Sequence, residues 1–231
     1  MITNNIIGRT FLIAVGSDTG TCFTYENKLC QYLITAKHVL ESLDCKNGDT
    51  IQVKLFHDKK WPRISCKFYV HENEEIDIAL LELEEIKFPI PHVNYKSQFI
   101  SFGEDLFFFG FPYGMYSPDD GKVNNKFPIP FVKKGVLSNM INEDGVTSIY
   151  LDAHNNTGFS GGPVIQIKKD NSINVIGVNV SYLKHDNTVE LEEQDFDGHL
   201  FLKAFEYYEN SGIMKAHSIH HIHEIIKQNG L

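Results

Sequence analysis

The stretch LDAHNNTGFSGGPVI, residues 151–165, decides the fold. It frames one serine as Gly158-Phe159-Ser160-Gly161-Gly162-Pro163 and then continues into Val164-Ile165-Gln166-Ile167. The frame satisfies G-x-S-x-G, the pattern of a nucleophile elbow. An elbow needs a helix directly after the serine, an alternating β/α chain, and its acid and histidine downstream. Residues 163–167 read instead as a strand, and no such alternation runs through the chain. A serine so framed lets backbone N–H groups converge beside its hydroxyl. Whether that is a catalytic arrangement depends on what the rest of the chain supplies.

With 231 residues, 42% of them hydrophobic and 12% aromatic, the chain can bury a substantial core. A net charge of −9 without any basic stripe argues against a nucleic-acid surface. No apolar run approaches the roughly 20 residues of a membrane-spanning helix, so no membrane is expected as a partner. The opening MITNNIIGRTFLIAV lacks a basic n-region, and its apolar part is broken by Arg9 and Thr10. It reads as no secretory signal, and the expected location is the cytoplasm. Cys22, Cys30, Cys45 and Cys66 show no CxxC metal spacing and are expected as reduced thiols. Their even number leaves a disulfide open.

Short apolar runs rich in Val, Ile, Phe and Tyr recur between Gly, Asn, Asp and Pro, the pattern of an all-β chain. Among them are RTFLIAV, QYLITA, TIQVKLF, DIALLEL, DLFFFGF, SIYLDA, NVIGVNVSYL and GHLFLKAF. Two segments look helical: a short turn after His38, and the tail HSIHHIHEIIKQNG, with Ile219, Ile222, Ile225 and Ile226 at helical spacing. A polar, proline-containing break over 84–98 divides the chain into residues 1–96 and 97–231. Two halves of five or six strands each suggest paired barrels, which remove exposed edges by closing. The polar, proline-rich region 112–134 reads as a long loop and a candidate gate.

Three stretches carry chemistry. An apolar strand in LITAKHVLES delivers His38 at its end, and in EEIDIALLEL Asp77 opens a run of buried aliphatics. An acid at the mouth of such a run is costly unless paired. With Ser160 they supply a hydroxyl, an imidazole to take its proton and a carboxylate to orient that imidazole.

On these motifs the chain resembles the trypsin-like serine proteases, and among them the bacterial high-temperature-requirement (HtrA) type. Thr35-Ala36-Lys37-His38-Val39, Asp77-Ile78-Ala79-Leu80 and Gly158–Pro163 match that family's three motifs, with Asp152-Ala153 upstream. Residues 20–23, 103–114, 134–138 and 175–180 extend the resemblance over nearly the whole chain. Thr157 and Phe159 depart from it, standing where the family commonly has Pro and Asn. The resemblance implies two six-stranded antiparallel β-barrels, closed here by a C-terminal helix. The residues 1–96 would carry His38 and Asp77, and residues 97–231 would carry Ser160.

The activity so implied is that of a serine endopeptidase acting on polypeptides through an acyl-enzyme, without a cofactor. Backbone N–H groups of Gly158 and Ser160 would form the oxyanion hole. His154 would lie at the base of the primary pocket, with Val180, Ser181 and Tyr182 as wall, suiting a small or medium apolar residue. Regulation by a protein partner is a further expectation. The alternative is a catalytically silent fold that binds peptides or serves as an interaction module, with a collapsed oxyanion loop. Zymogen-type relatives carry an aspartate where Phe159 stands. An ammonium buried against Phe159 would lack a charged partner, so N-terminal processing is not expected as the switch. In the tail, His217, His220, His221 and Glu224 could share a helix face with metal-binding spacing. They read instead as a solvated face opposite the isoleucines, holding no metal.

Overall fold

A computed structural model describes residues 4–27, 30–84, 88, 93–95, 100–194 and 200–231. The strand signals of the first half form β1 (Thr10–Val15), β2 (Asp18–Glu26), β3 (Gln31–Thr35), β4 (Thr50–Leu55), β5 (Arg63–Val70) and β6 (Ala79–Leu83), after a short helix α1 (Asn4–Ile7). They close into an antiparallel barrel of order β1-β2-β3-β6-β5-β4, sealed where Ile13 and Ala14 pair with Leu55 and Lys54. Along β4 and β5 exposed and buried residues alternate, as expected where one face meets water. β1 and β3 are buried along their whole length, because their outer faces are covered as well.

A second ring is built from β8 (Asp105–Gly110), β9 (Phe131–Glu143), β10 (Val146–Asp152), β11 (Pro163–Ile167), β12 (Ile173–Gln194) and β13 (Leu200–Ser218). Its order is β11-β8-β9-β10-β13-β12, and pairing of β11 with β12 completes the circuit. The two-residue strand β7 (Asn94–Tyr95) runs parallel to β12, and α2 (His220–Gln228) ends the chain. The fold is thus two antiparallel β-rings with a C-terminal helix, the chymotrypsin-like arrangement. The boundary at 96/97 falls outside the described residues, as does most of the proline-containing break. Among the described residues no helix is long and apolar enough to cross a membrane.

The period of two along the strands separates three apolar clusters. Phe11, Ile13, Cys22, Leu33, Val53 and Leu81 fill the first barrel. Leu106, Phe108, Leu137, Ile149, Val164 and Met214 fill the second. Between them Phe23, Tyr25, Ile34 and Leu80 meet Ile165, Val178 and the α2 isoleucines Ile222 and Ile225. One strand therefore serves two cores: Cys22 points into the barrel and Phe23 into the seam.

Three expectations need correction. Residues 131–134 are not loop but the start of β9, with Phe131, Val132 and Lys133 paired to Gly110, Phe109 and Phe108. Main-chain pairing makes that strand, although Phe131 and Val132 are exposed. NVIGVNVSYL and GHLFLKAF are not two short strands. Their described residues belong to one hairpin whose pairing runs from Gly177–Ser218 to Gln194–Leu200. Its outer part, KHDNTVELEEQ, has no apolar run to betray a strand. Finally, the tail helix begins at His220, and His217 lies in β13 instead.

Candidate active site

β3 stops at Thr35, and residues 37–40 form a tight turn anchored by buried Val39 and Leu40. Buried Ile76 and Ile78 flank Asp77 just ahead of β6. β3 and β6 are neighbours, so the two side chains meet at one barrel end. The His38 Nδ1 lies 2.6 Å from Asp77 Oδ2, and the His38 backbone N–H donates to Oδ1 at 2.9 Å. The carboxylate accepts at Nδ1, so that nitrogen carries the proton and Nε2 is left as acceptor. Burial works against a charged imidazole here. The hydrogen bond and charge of Asp77, with Glu41 adding, outweigh it and raise the pKa of His38 above its usual 6.5.

Ser160 reaches the same place from the loop between β10 and β11. With His38 and Asp77 it lines a cleft of about 350 Å³, together with Asn155, Asn156, Thr157, Val180, Ser181 and Tyr182. A second hollow of about 630 Å³ is shared by His38, Gly158, Ser160 and residues of the β1–β2 turn. His38 and Ser160 thus stand where two open grooves meet.

The loop is held from both barrels. Gly158 has φ +99°, and a Cβ there would come 2.2 Å from the Phe111 carbonyl oxygen, so only glycine fits. The Thr157 carbonyl accepts from the Tyr113 N–H at 2.8 Å. In a trans peptide N–H and C=O point oppositely, so the Gly158 N–H is turned away from Tyr113 toward the hollow it lines with Ser160. The Thr21 hydroxyl donates to the Gly158 carbonyl at 2.7 Å, and the Thr21 N–H donates to that of Ser160 at 2.9 Å. Phe159 is fully buried against Phe108.

A family model described as Trypsin-like peptidase domain matches residues 20–178. The chain belongs to the trypsin-like peptidases. No curated protein sequence matches it. Among solved structures it is similar to the HtrA-type protease AlgW with tripeptide, at 19% identity and a TM-score of 0.60, covering 97 or 98% of this chain. Another is the Rv3671c protease from M. tuberculosis in its active form, at 15% identity and a TM-score of 0.58, covering 97% of this chain and 82% of that one. The inactive form of Rv3671c matches equally well, with 91% of its chain covered. This chain spans only 62% of AlgW, and at these identities the likeness is one of fold.

Val180, Ser181 and Tyr182 line the cleft with His38, Asp77 and Ser160, whereas His154 does not. His154 is exposed and is not among the cleft-lining residues. Past the end of β10 the buried positions are Ala153 and Asn155, so His154 points out. Asn155 lines the cleft instead. Its amide donates to Asn179 Oδ1 at 2.9 Å and to the Ser181 carbonyl at 3.0 Å. Its oxygen accepts from the Asn156 N–H and the Asn179 amide, both at 3.0 Å.

The histidine tail is not a solvated face. His217 and His221 are each 1% exposed. His217 touches the site itself, because its Nδ1 accepts the Asp77 backbone N–H at 3.2 Å. Burial, then the charge of Lys215, hold this imidazole down to about 4, neutral as an N–H acceptor must be. His71, His221 and Glu224 bring one donor each within 4.8 Å of one another, the spacing of a divalent-ion site. The surrounding bonds do not fit a metal. His71 Nδ1 accepts the Asn73 N–H at 2.9 Å, and His221 Nε2 accepts the Thr147 N–H at 3.0 Å. Each ring must then keep its proton on the nitrogen that would face the ion, whereas ligating histidines donate from the far nitrogen. His221 Nδ1 uses that proton on Glu224 Oε2, 2.6 Å away, and the cluster fastens α2 to the segment leading into Asp77.

The ammonium of Lys133 does lie beside Phe159, and it finds carbonyl oxygens there as partners. Lys133, Tyr113 and Thr21 did not stand out in the sequence, and His217 did so only as one of a set with metal-binding spacing. All four act across many residues, and no local motif marks them.

Proposed function

We propose that this peptidase is a serine endopeptidase that cleaves polypeptides through an acyl-enzyme, with Ser160 as nucleophile, His38 as general base and acid, and Asp77 as its orienting carboxylate. The carrying observation is the convergence of the three side chains on one cleft, with His38 Nδ1 2.6 Å from Asp77. Ser160 Oγ attacks the substrate carbonyl carbon while its proton passes to His38 Nε2. Asp77 holds the proton on Nδ1 and stabilises the imidazolium. The oxyanion is met by the N–H groups of Gly158 and Ser160, an interaction strongest at the tetrahedral stage. His38 then returns its proton to the departing amine as the C–N bond breaks. Water, deprotonated by the same nitrogen, hydrolyses the ester and restores Ser160.

Nothing in these steps calls for a cofactor. The outward Thr157 carbonyl favours an open oxyanion loop over the collapsed one that a silent binding module would have. The Asn155 amide is saturated internally and offers no charge, so the pocket suits a small or medium apolar residue. The tripeptide in AlgW supports a peptide as ligand for the shared fold. We place the enzyme in the cytoplasm, regulated by a protein partner and without nucleic-acid or membrane binding. The test is hydrolysis of an unfolded protein such as casein. Asp77→Asn should lose activity by roughly 10⁴-fold, and Ser160→Ala and His38→Ala by roughly 10⁶-fold, with unchanged thermal melts. Proteolysis retained in pure Ser160→Ala would overturn the reading.

A further inference from the structure

We propose that Lys133 is a positioning residue, a built-in cation that holds the oxyanion loop in its open form. This rests on the assignment of Ser160 and Gly158 above and adds the device that orders them.

Residues 133 and 134 are successive lysines on β9, so their side chains leave the strand on opposite faces. Lys134 turns to solvent and pairs with Asp105 at 2.7 Å. Lys133 turns inward, against the loop that carries Ser160. Its Nζ donates to the His154 carbonyl at 2.6 Å and to Asn156 Oδ1, and it stands 5.4 Å from the centre of the Phe159 ring. The three contacts lie on the four-residue approach to Gly158 and on the residue between the two proposed oxyanion donors. An ammonium has three N–H donors and no acceptor, and here two meet oxygens while an aromatic face covers the charge. Burial lowers the pKa of this lysine, as expected for a cation partly withdrawn from water.

Asn156 transmits the hold. Its side-chain oxygen accepts a hydrogen bond from Lys133 Nζ, its amide donates to Tyr113 Oη at 3.3 Å, and its carbonyl accepts the Phe159 N–H at 3.2 Å. The next carbonyl, that of Thr157, is the one fastened to the Tyr113 N–H. Loss of the cation would free the Asn156 side chain and the His154 carbonyl together. The peptide that presents the Gly158 N–H could then rotate. A charged side chain inside the fold thus does the ordering, and no newly cut terminus is required. Phe159 suits this role because its ring face accepts a cation that a carboxylate would pull into a different geometry.

The experiment measures the second-order rate of labelling by a fluorophosphonate probe, together with kcat and KM on a peptide substrate. Lys133→Met should fall roughly 10- to 100-fold in labelling rate, the range for a lost charged hydrogen bond, chiefly through kcat. Lys133→Arg should recover part of that loss, and Lys134→Met should match the wild type. Asn156→Ala should show the same loss, with the Lys133→Met/Asn156→Ala double variant no slower than either single one. If Lys133→Met does not fold, Asn156→Ala and Lys133→Arg carry the test. Wild-type labelling by Lys133→Met, or by Asn156→Ala in that case, would overturn the brace and leave the site assignment standing. Absence of labelling in the wild type itself would overturn that assignment instead.

Discussion

Gly158→Ala should separate catalysis from folding. At φ +99° an alanine is strained, at a cost of about 1–2 kcal/mol. The larger effect is steric. The new Cβ would sit 2.2 Å from the Phe111 carbonyl oxygen and 3.0 Å from the Tyr113 nitrogen, and both are backbone atoms. The Phe111 carbonyl is itself pinned by the Gly114 N–H at 3.0 Å, so it cannot easily give way. The loop must therefore back off by about 1 Å, a displacement that by itself can cost about 100-fold in rate. It also carries one oxyanion donor out of position, worth about 3 kcal/mol, so a loss of roughly 100- to 1,000-fold in kcat/KM is expected. The fold should survive, because a strain of this size is small beside the roughly 5–15 kcal/mol of a typical domain. Gly145→Ala is the matched control. Gly145 also has a positive φ of +82°, but nothing lies within 4 Å of its Cβ position, so activity should not change. Peptide hydrolysis and probe labelling read the first effect, and thermal melting the second. A Gly158→Ala enzyme within threefold of wild type would refute the assignment of its N–H to the oxyanion hole.

Three other outcomes are expected. The acid limb of kcat/KM should lie above pH 6.5, because activity needs neutral His38 and is lost as pH falls through its raised pKa. Asp77→Asn removes the partner that raises it, so the residual activity should titrate at lower pH, and a limb left in place would contradict this. All four cysteines are free thiols, and a thiol reagent should find four in denaturant. In the native state buried Cys22 and Cys66 should react far more slowly than Cys30 and Cys45, since burial pushes Cys22 well up and Cys66 to about 12. Removing residues 1–9 should destabilise without activating, because Ile6 and Arg9 are fully buried and Arg9 bonds Tyr95 Oη at 2.6 Å. The loss should be about 3–5 kcal/mol in denaturant melts, and a gain in labelling would contradict it.

The catalytic candidates were legible because acyl transfer restricts residue type and local frame. His38 must follow a strand, Asp77 must open one, and Ser160 needs glycines whose backbone approaches other chain segments closely. Strand runs such as QYLITA and DLFFFGF were legible because burial on both faces leaves continuous apolar sequence. The outer hairpin of β12 and β13 was hidden, since main-chain pairing holds polar residues as readily as apolar ones. His154 was misplaced by a one-residue question of direction, which only the end of β10 settles. The contacts of Lys133, Tyr113 and His217 were invisible for a different reason. Each acts on a segment 20 to 140 residues away, through a carbonyl or an N–H that any sequence would supply.

The most direct measurement is the mass of the adduct formed with a fluorophosphonate probe, followed by peptide mapping. One probe should add per chain, on Ser160, and neither Ser160→Ala nor His38→Ala should label at a comparable rate. An adduct on another residue, or labelling that survives in Ser160→Ala, would contradict the assignment of Ser160 as the nucleophile.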